Sequence, residues 1–163
     1  VEKLGKHTPW GSFRGGKYSL FDAGTHVPFI TYWKGTIQPK TSDALVCHMD
    51  LLTSLAHLVD CDFKGPDSEN LLDVFLGKSD AGREELIIEA TTRTALRKGK
   101  WIMIPPYKVK AIEETLNFEV GNPKEHQLYN IDTNKEQQTN LANSKKEKLK
   151  ETRRTSYRDI ELK

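Results

Sequence analysis

From Phe13 to Pro28 the chain runs Phe-Arg-Gly-Gly-Lys-Tyr-Ser-Leu-Phe-Asp-Ala-Gly-Thr-His-Val-Pro, placing Arg14 and Lys17 on either side of Gly15 and Gly16. The chemistry this combination suits is the capture of an anion. Glycines adopt torsions closed to other residues and let the backbone approach a ligand. Lysine adds a compact ammonium on a flexible stem, and arginine a planar fork of donors. From Lys3 to Phe21 there are four basic residues (Lys3, Lys6, Arg14, Lys17) and no Asp or Glu, although the whole chain balances 25 Lys+Arg against 23 Asp+Glu. The pattern is not Gly-x-x-x-x-Gly-Lys-Ser/Thr and no strand-like apolar run precedes it, so a nucleotide P-loop is unsupported. Upstream, His7 and Trp10 could face a sugar or aryl group, the imidazole through a hydrogen-bonding edge and the indole through a flat apolar surface. A plainer role for Trp10 is to pack the loop down.

Several elements must hold this loop in place. Residues 1–12 carry two glycines and a proline without helical or strand periodicity, and form a loop. Val27–Trp33 is an apolar, β-branched and aromatic run, predicted as a strand buried on both faces, as in the central sheet of an α/β domain. Asp43–Cys47 is predicted as a short second strand. Leu51, Leu52, Leu55, Ala56 and Val59 recur at helical spacing, giving an amphipathic helix over Met49–Val59 whose apolar stripe faces a sheet. His48 and His57, on or beside it, are assigned to structure. A short helix is expected over Ser68–Gly77, capped by Asp67 or Ser68. Beyond it, Glu85–Ala90, Thr92–Arg97, Lys100–Ile104 and Gln127–Ile131 are β-prone, with a tight turn at Lys98-Gly99 and a polar loop over 107–126. They predict a four-stranded antiparallel sheet, covered by a charged helix from Ser144 to Leu162. The expected organisation is α/β, or α+β for this chain by itself, divided into 1–66 and 67–163.

At 163 residues the chain can bury the core of one ordinary domain. A net charge of +2 does not support general nucleic-acid binding, and the charge run of the last helix is a solvated face. No apolar run is long enough to span a bilayer. The start, Val-Glu-Lys-Leu-Gly, has no signal-peptide core and looks like the beginning of a processed or excised segment. Cys47 and Cys61, held apart by the helix between them, are read as free, buried thiols with no zinc-ligand spacing.

Five blocks taken together resemble the sulfatase family. Arg14-Gly-Gly-Lys17, Asp22-Ala-Gly24, His26-Val-Pro28 and Trp33-Lys-Gly35 follow that family's Arg-Gly-x-Lys, Glu-Gly-Gly-x-Arg-x-Pro and Trp-Pro-Gly text. Asp50-Leu-Leu-Thr53 resembles its Asp-Leu-x-Pro-Thr helix start. Ala95-Leu-Arg97 with Lys100-Trp101 resembles its hairpin, and Gln127-Leu-Tyr-Asn-Ile-Asp132 with Asn140-Leu-Ala142 its Leu-Tyr-Asn-Leu…Asn-Leu-Ala ending. Order and spacing agree over roughly residues 5–150.

The resemblance implies the C-terminal portion of an arylsulfatase-like sulfuric ester hydrolase, secreted or periplasmic, acting on a sulfated carbohydrate or aryl sulfate. It implies Lys17 as the catalytic lysine that contacts the sulfate. His7 and Arg14 are substrate-binding candidates, with Arg14 also suited to holding the loop. The family's nucleophile is formylglycine, made from Cys or Ser in Cys/Ser-x-Pro-x-Arg, and neither cysteine nor any serine here begins that motif. Its calcium ligands are an Asp-Asp and an Asp-Asn pair, both absent from this sequence. Calcium and the nucleophile are therefore expected in the remainder of a parent chain, and this chain alone is expected to be inactive and to self-associate through its unpaired strand. Asp22-Ala23 stands where Glu-Gly is usual and His26 where Arg is usual. If position 23 needed a positive φ, Ala23 would add about 1 kcal/mol of strain. A related phosphoesterase is a weaker choice, and the alternative from another class is a stand-alone anion- or sulfated-glycan-binding module.

Overall fold

Alternation of apolar side chains builds the main sheet. The computed structural model describes residue 7, residues 9–114 and residues 118–160. Its strands are β1 (Glu85–Ala90), β2 (Arg93–Lys98), β3 (Trp101–Ile104), β4 (Ile112–Glu113), β5 (Phe118–Glu119) and β6 (Gln127–Asn130). The four longer ones form a sheet in the order β1-β2-β3-β6, with β3 antiparallel to both β2 and β6. Lys98 pairs with Trp101 across the hairpin, and Gly99 takes the φ of 53° that this turn demands. The span expected as a polar loop over 107–126 instead contains an antiparallel ribbon, Ile112 opposite Glu119 and Glu113 opposite Phe118.

Because side chains alternate across a strand, this sheet has two apolar faces. On one, Leu96, Met103, Leu128 and Ala142 pack with Trp101 and with Leu149 of the last helix, α3 (Lys146–Ile160), which lies against β2 and β3. The expected helix thus starts two residues later than Ser144, where boundaries are least sharp, and residues 161–163 lie outside the described ones. On the other face, Ile88, Ala90, Ala95, Ile102, Ile104 and Tyr129 are closed off by Leu20 and Phe21 of the cationic loop. Leu20 is 0% and Phe21 2% exposed, each contributing about 1.5–3 kcal/mol by burial.

Contacts divide the chain into two units, 28–86 and 1–27 together with 87–163, so the first unit crosses the boundary expected at 66. In the first, α1 (Asp50–Leu58) forms close to its expected limits, but the face it buries is polar: Asp50, Thr53 and Ser54. The apolar stripe is outward, with Leu52 53% and Leu55 52% exposed. Asp50 accepts from the amides of Cys47 (2.9 Å) and Glu69 (3.0 Å) and from the Arg83 guanidinium. Ser68 is drawn to the same helix, accepting from the Thr53 amide and donating to the Met49 carbonyl. Ser68 therefore does not cap a helix of its own; only one turn, α2 (Leu72–Phe75), forms, and the Asn70 side chain accepts its first N–H.

Val27–Trp33 forms no strand among the described residues, and the burial expected on both faces is not found: Val27 is 71%, Ile30 87% and Tyr32 84% exposed. An extended segment buries its faces only when neighbouring strands and helices are supplied, and here they are not. Asp43–Cys47 is also irregular; Leu45 instead accepts the Arg83 N–H at 2.8 Å. Cys47 and Cys61 are free thiols as expected, but Cys61 is exposed and Cys47 only half-buried.

Candidate functional site

The loop carrying Lys17 is anchored at both ends by residues of β5, of β6 and of the segments that follow these strands. The Arg14 guanidinium makes a two-point contact with the Glu119 carboxylate, with its Nη2 arm at 2.9 Å. Nη1 donates to the Gln137 carbonyl at 2.7 Å and to the Tyr129 hydroxyl at 3.3 Å. Its carbon centre sits 4.1 Å from the Phe21 ring centroid, within cation–π range. The hydrogen bonds to Glu119 raise the affinity of Arg14 for its proton against the opposing effect of burial, and the same contact lowers Glu119 below the usual carboxylate range. Burial pushes the Tyr129 hydroxyl up. The charge of Arg14 is engaged within the fold, in the loop-holding geometry.

Downstream, the Leu20 N–H donates to the Val120 carbonyl at 3.2 Å, and the Asp22 N–H to Gln137 Oε1 at 2.7 Å. Gln137, fully buried with a φ of 50°, thus accepts from both ends of the loop. Asp22–Gly24 forms a 3₁₀ turn, so Ala23 is not strained by a positive φ; the loop's left-handed residues are Gly15, at 91°, and Tyr18, at 72°. A Cβ on Gly24 would lie 2.0 Å from the Ser19 carbonyl oxygen, which explains glycine there. The buried Asp22 carboxylate contacts His26 Nδ1 at 2.7 Å, and the His26 ring lies 4.8 Å from that of Phe13.

Between these anchors Lys17 is exposed. Its ammonium lies 5.0 Å from the Tyr18 ring centroid and forms no ion pair among the described residues. A solvent-facing cation on a loop fixed at both ends can meet an anionic oxygen without the loop having to order first. His7 is exposed and makes no hydrogen bond or ion pair among the described residues, whereas Trp10 is half-buried and its carbonyl accepts the Phe13 N–H. The structure therefore places Arg14 with the anchors and leaves Lys17 open. Lys3 and Lys6 lie outside the described residues. Tyr129 falls in the Gln127–Asp132 block noted in the sequence, though not as a site residue, whereas Glu119 and Gln137 were not singled out and no local pattern marks them.

Among the described residues no group of three or more His, Cys, Asp or Glu side chains is arranged to hold a metal ion. No described helix is long and apolar enough to cross a membrane.

Comparison with known proteins bears on the same segment. Residues 5–61 match the family model described as Sulfatase. An N-acetylgalactosamine-6-O-sulfatase of Bacteroides thetaiotaomicron is 36% identical over 154 residues, covering 92% of this chain and 30% of that protein. An arylsulfatase of Hemicentrotus pulcherrimus is 44% identical over 46 residues, 28% of this chain and 8% of that protein. A solved structure described under the metabolism of multiple glycosaminoglycans by Bacteroides thetaiotaomicron superposes with a TM-score of 0.89 at 33% identity, covering 98% of this chain and 34% of that one. The chain thus spans about a third of the length of the relative and the solved structure that it matches along most of its own length.

Proposed function

Since the chain belongs to the sulfatase family, we propose that it is the C-terminal portion of an enzyme that hydrolyses sulfate esters of a glycan. Residues 1–66 would close the catalytic domain and 67–163 form the C-terminal subdomain. The observation that carries the reading is the placement of Lys17, an exposed ammonium on a loop whose two ends are both bonded to Gln137, in the segment that follows β6. An ammonium so held contacts a sulfate oxygen in the bound ester and offsets the charge that builds as the S–O bond to the leaving group breaks. His7 is a further candidate at the substrate. In the intact enzyme a formylglycine and a calcium site would lie in the remainder of the parent chain, where they would supply the nucleophile and polarisation of the sulfate. This portion contributes charge stabilisation and substrate contacts and is inactive alone. Similarity along 92% of the chain, embracing loop, helix and small sheet alike, favours this over a stand-alone anion-binding module. The exposed run Val27–Trp33 and the outward stripe of α1 are surfaces that the remainder of the parent would cover. A secreted or periplasmic location follows from the same family reading.

The relative's name makes 6-O-sulfated N-acetylgalactosamine the first substrate to test. Sulfate release by the parent and by this segment alone is measured on that sugar and on a panel of sulfated glycans and aryl sulfates. The expected result is release by the parent only; a parent that releases sulfate from none of them would overturn the reading.

A further inference from the structure

Tyr18 occupies a backbone conformation that works against it. Its φ of 72° lies in the left-handed region, which is unfavourable for an ordinary L-residue and persists where surrounding contacts over-determine it. Here they do. Arg93 Nη2 donates to the Tyr18 carbonyl at 2.9 Å, and the next residue, Ser19, is buried with its N–H bonded to the Gly16 carbonyl at 2.9 Å. The ring so presented is not spent on the core, being 49% exposed. It borders an open cleft of about 570 Å³ lined also by Thr91, Thr92, Lys110, Ile112 and Asn122, a size within the roughly 300–1,000 Å³ of ligand sites. The same ring neighbours Lys17, whose ammonium lies 5.0 Å from its centroid.

The charges around this cleft cancel or are engaged. Lys110 pairs with Glu114 at 2.7 Å, and the Arg93 guanidinium is turned onto the carbonyls of Tyr18 and Val120 and the Asn122 side chain. What remains is an aromatic face, the apolar edge of Ile112 and the hydroxyl of Thr92, that of Thr91 being bonded to the Ala90 carbonyl and the Arg93 guanidinium. A neutral pyranose offers the matching chemistry, with a C–H face to lay on the ring and hydroxyls to exchange hydrogen bonds at its rim. We propose that this cleft is a subsite for an uncharged sugar ring adjoining the sulfated residue at Lys17, with Tyr18 as its stacking platform. The inference rests on the glycan-sulfatase reading above.

The parent enzyme is assayed on 6-O-sulfated N-acetylgalactosamine and on the same residue linked to a neutral hexose. Tyr18→Gly removes the ring while placing at the left-handed position the residue that tolerates it. The expected result is a Tm unchanged or raised and a disaccharide-to-monosaccharide ratio of kcat/KM that falls about tenfold. Tyr18→Phe, which keeps the stacking face, should retain the ratio. A ratio unchanged in Tyr18→Gly overturns the subsite while leaving the sulfatase reading intact. A wild-type parent that releases sulfate from neither sugar removes the basis of both.

Discussion

Replacing Arg14 with methionine separates the two roles that sequence leaves open for it. Methionine keeps an apolar stem over Phe21 and removes the guanidinium. Four interactions are lost: the two-point contact with Glu119, the 2.7 Å bond to the Gln137 carbonyl, the longer 3.3 Å bond to the Tyr129 hydroxyl and the stacking on Phe21 at 4.1 Å. The first is worth little, because the Glu119 side chain is 49% exposed and solvent-facing pairs contribute about 0–1 kcal/mol. A charged donor on a carbonyl contributes about 1.5–3 kcal/mol, and the cation–π contact about 0.5–1 kcal/mol. Together these stabilise the loop by about 2–4 kcal/mol, which corresponds to a drop in amide protection of roughly thirtyfold to several hundredfold. Hydrogen exchange on the parent should show that drop at Leu20, Asp22 and Ala23, whose N–H groups are bonded to Val120, Gln137 and Arg14. Glu119→Gln should cost no more than about 1 kcal/mol. Exchange unchanged in Arg14→Met, combined with a raised KM, would refute the anchoring role and make Arg14 a substrate ligand.

Other positions give sharp expectations. Asp50→Asn should cost about 1–3 kcal/mol in urea unfolding of the 28–86 unit within the parent, since it takes the buried charge from the nearly buried Arg83 and leaves it the exposed Glu69 and the Asp67 carbonyl; a cost below about 0.5 kcal/mol would contradict the pairing. Burial opposes the charge of Asp50, but Arg83 and the amides of Glu69 and Cys47 outweigh it and hold its carboxyl below the usual range. Its stabilising contribution is therefore complete above the unfolded value of about 4 and is lost as pH falls through the lower folded value. The stability difference between wild type and Asp50→Asn should shrink as pH drops below about 4, and a constant difference would disprove the linkage. Gly24→Ala, whose Cβ would lie 2.0 Å from a backbone oxygen, should destabilise the loop by about 1–3 kcal/mol, visible as faster exchange at Asp22; wild-type exchange would show that the turn gives way freely. The isolated segment should self-associate through Val27–Trp33, and Ile30→Lys with Tyr32→Glu should shift it toward monomer in sedimentation velocity; an unchanged distribution would place the contact elsewhere.

The parts of this fold legible in the sequence are those whose signals are local. Alternation over 85–104 and 127–131, with Gly99 between two strands, specifies the sheet, and the charged run with Leu149 specifies α3. Amphipathicity marked α1 but not which side is buried. A stripe of Leu52 and Leu55 shows that an apolar partner is needed, not that this chain supplies it, and the polar face of Asp50, Thr53 and Ser54 is what the 65–71 segment covers. The same limit explains Val27–Trp33. Ser68 looked like a helix cap because nothing local shows its hydroxyl committed to Met49 and Thr53. At the candidate site, the glycine pair and basic residues drew attention to Arg14 and Lys17, whereas the partners that hold the loop lie 105 to 123 residues away from Arg14. Tyr18 escaped notice because its positive φ falls on a residue type that does not advertise one.

The most direct measurement is steady-state sulfate release by the parent carrying Lys17→Ala, alongside its Tm. Because Lys17 is exposed and forms no ion pair among the described residues, its removal should leave Tm unchanged while kcat falls about 10²–10³-fold, the usual effect of deleting one charge-stabilising donor. Wild-type kcat in a fully folded Lys17→Ala enzyme would contradict the account.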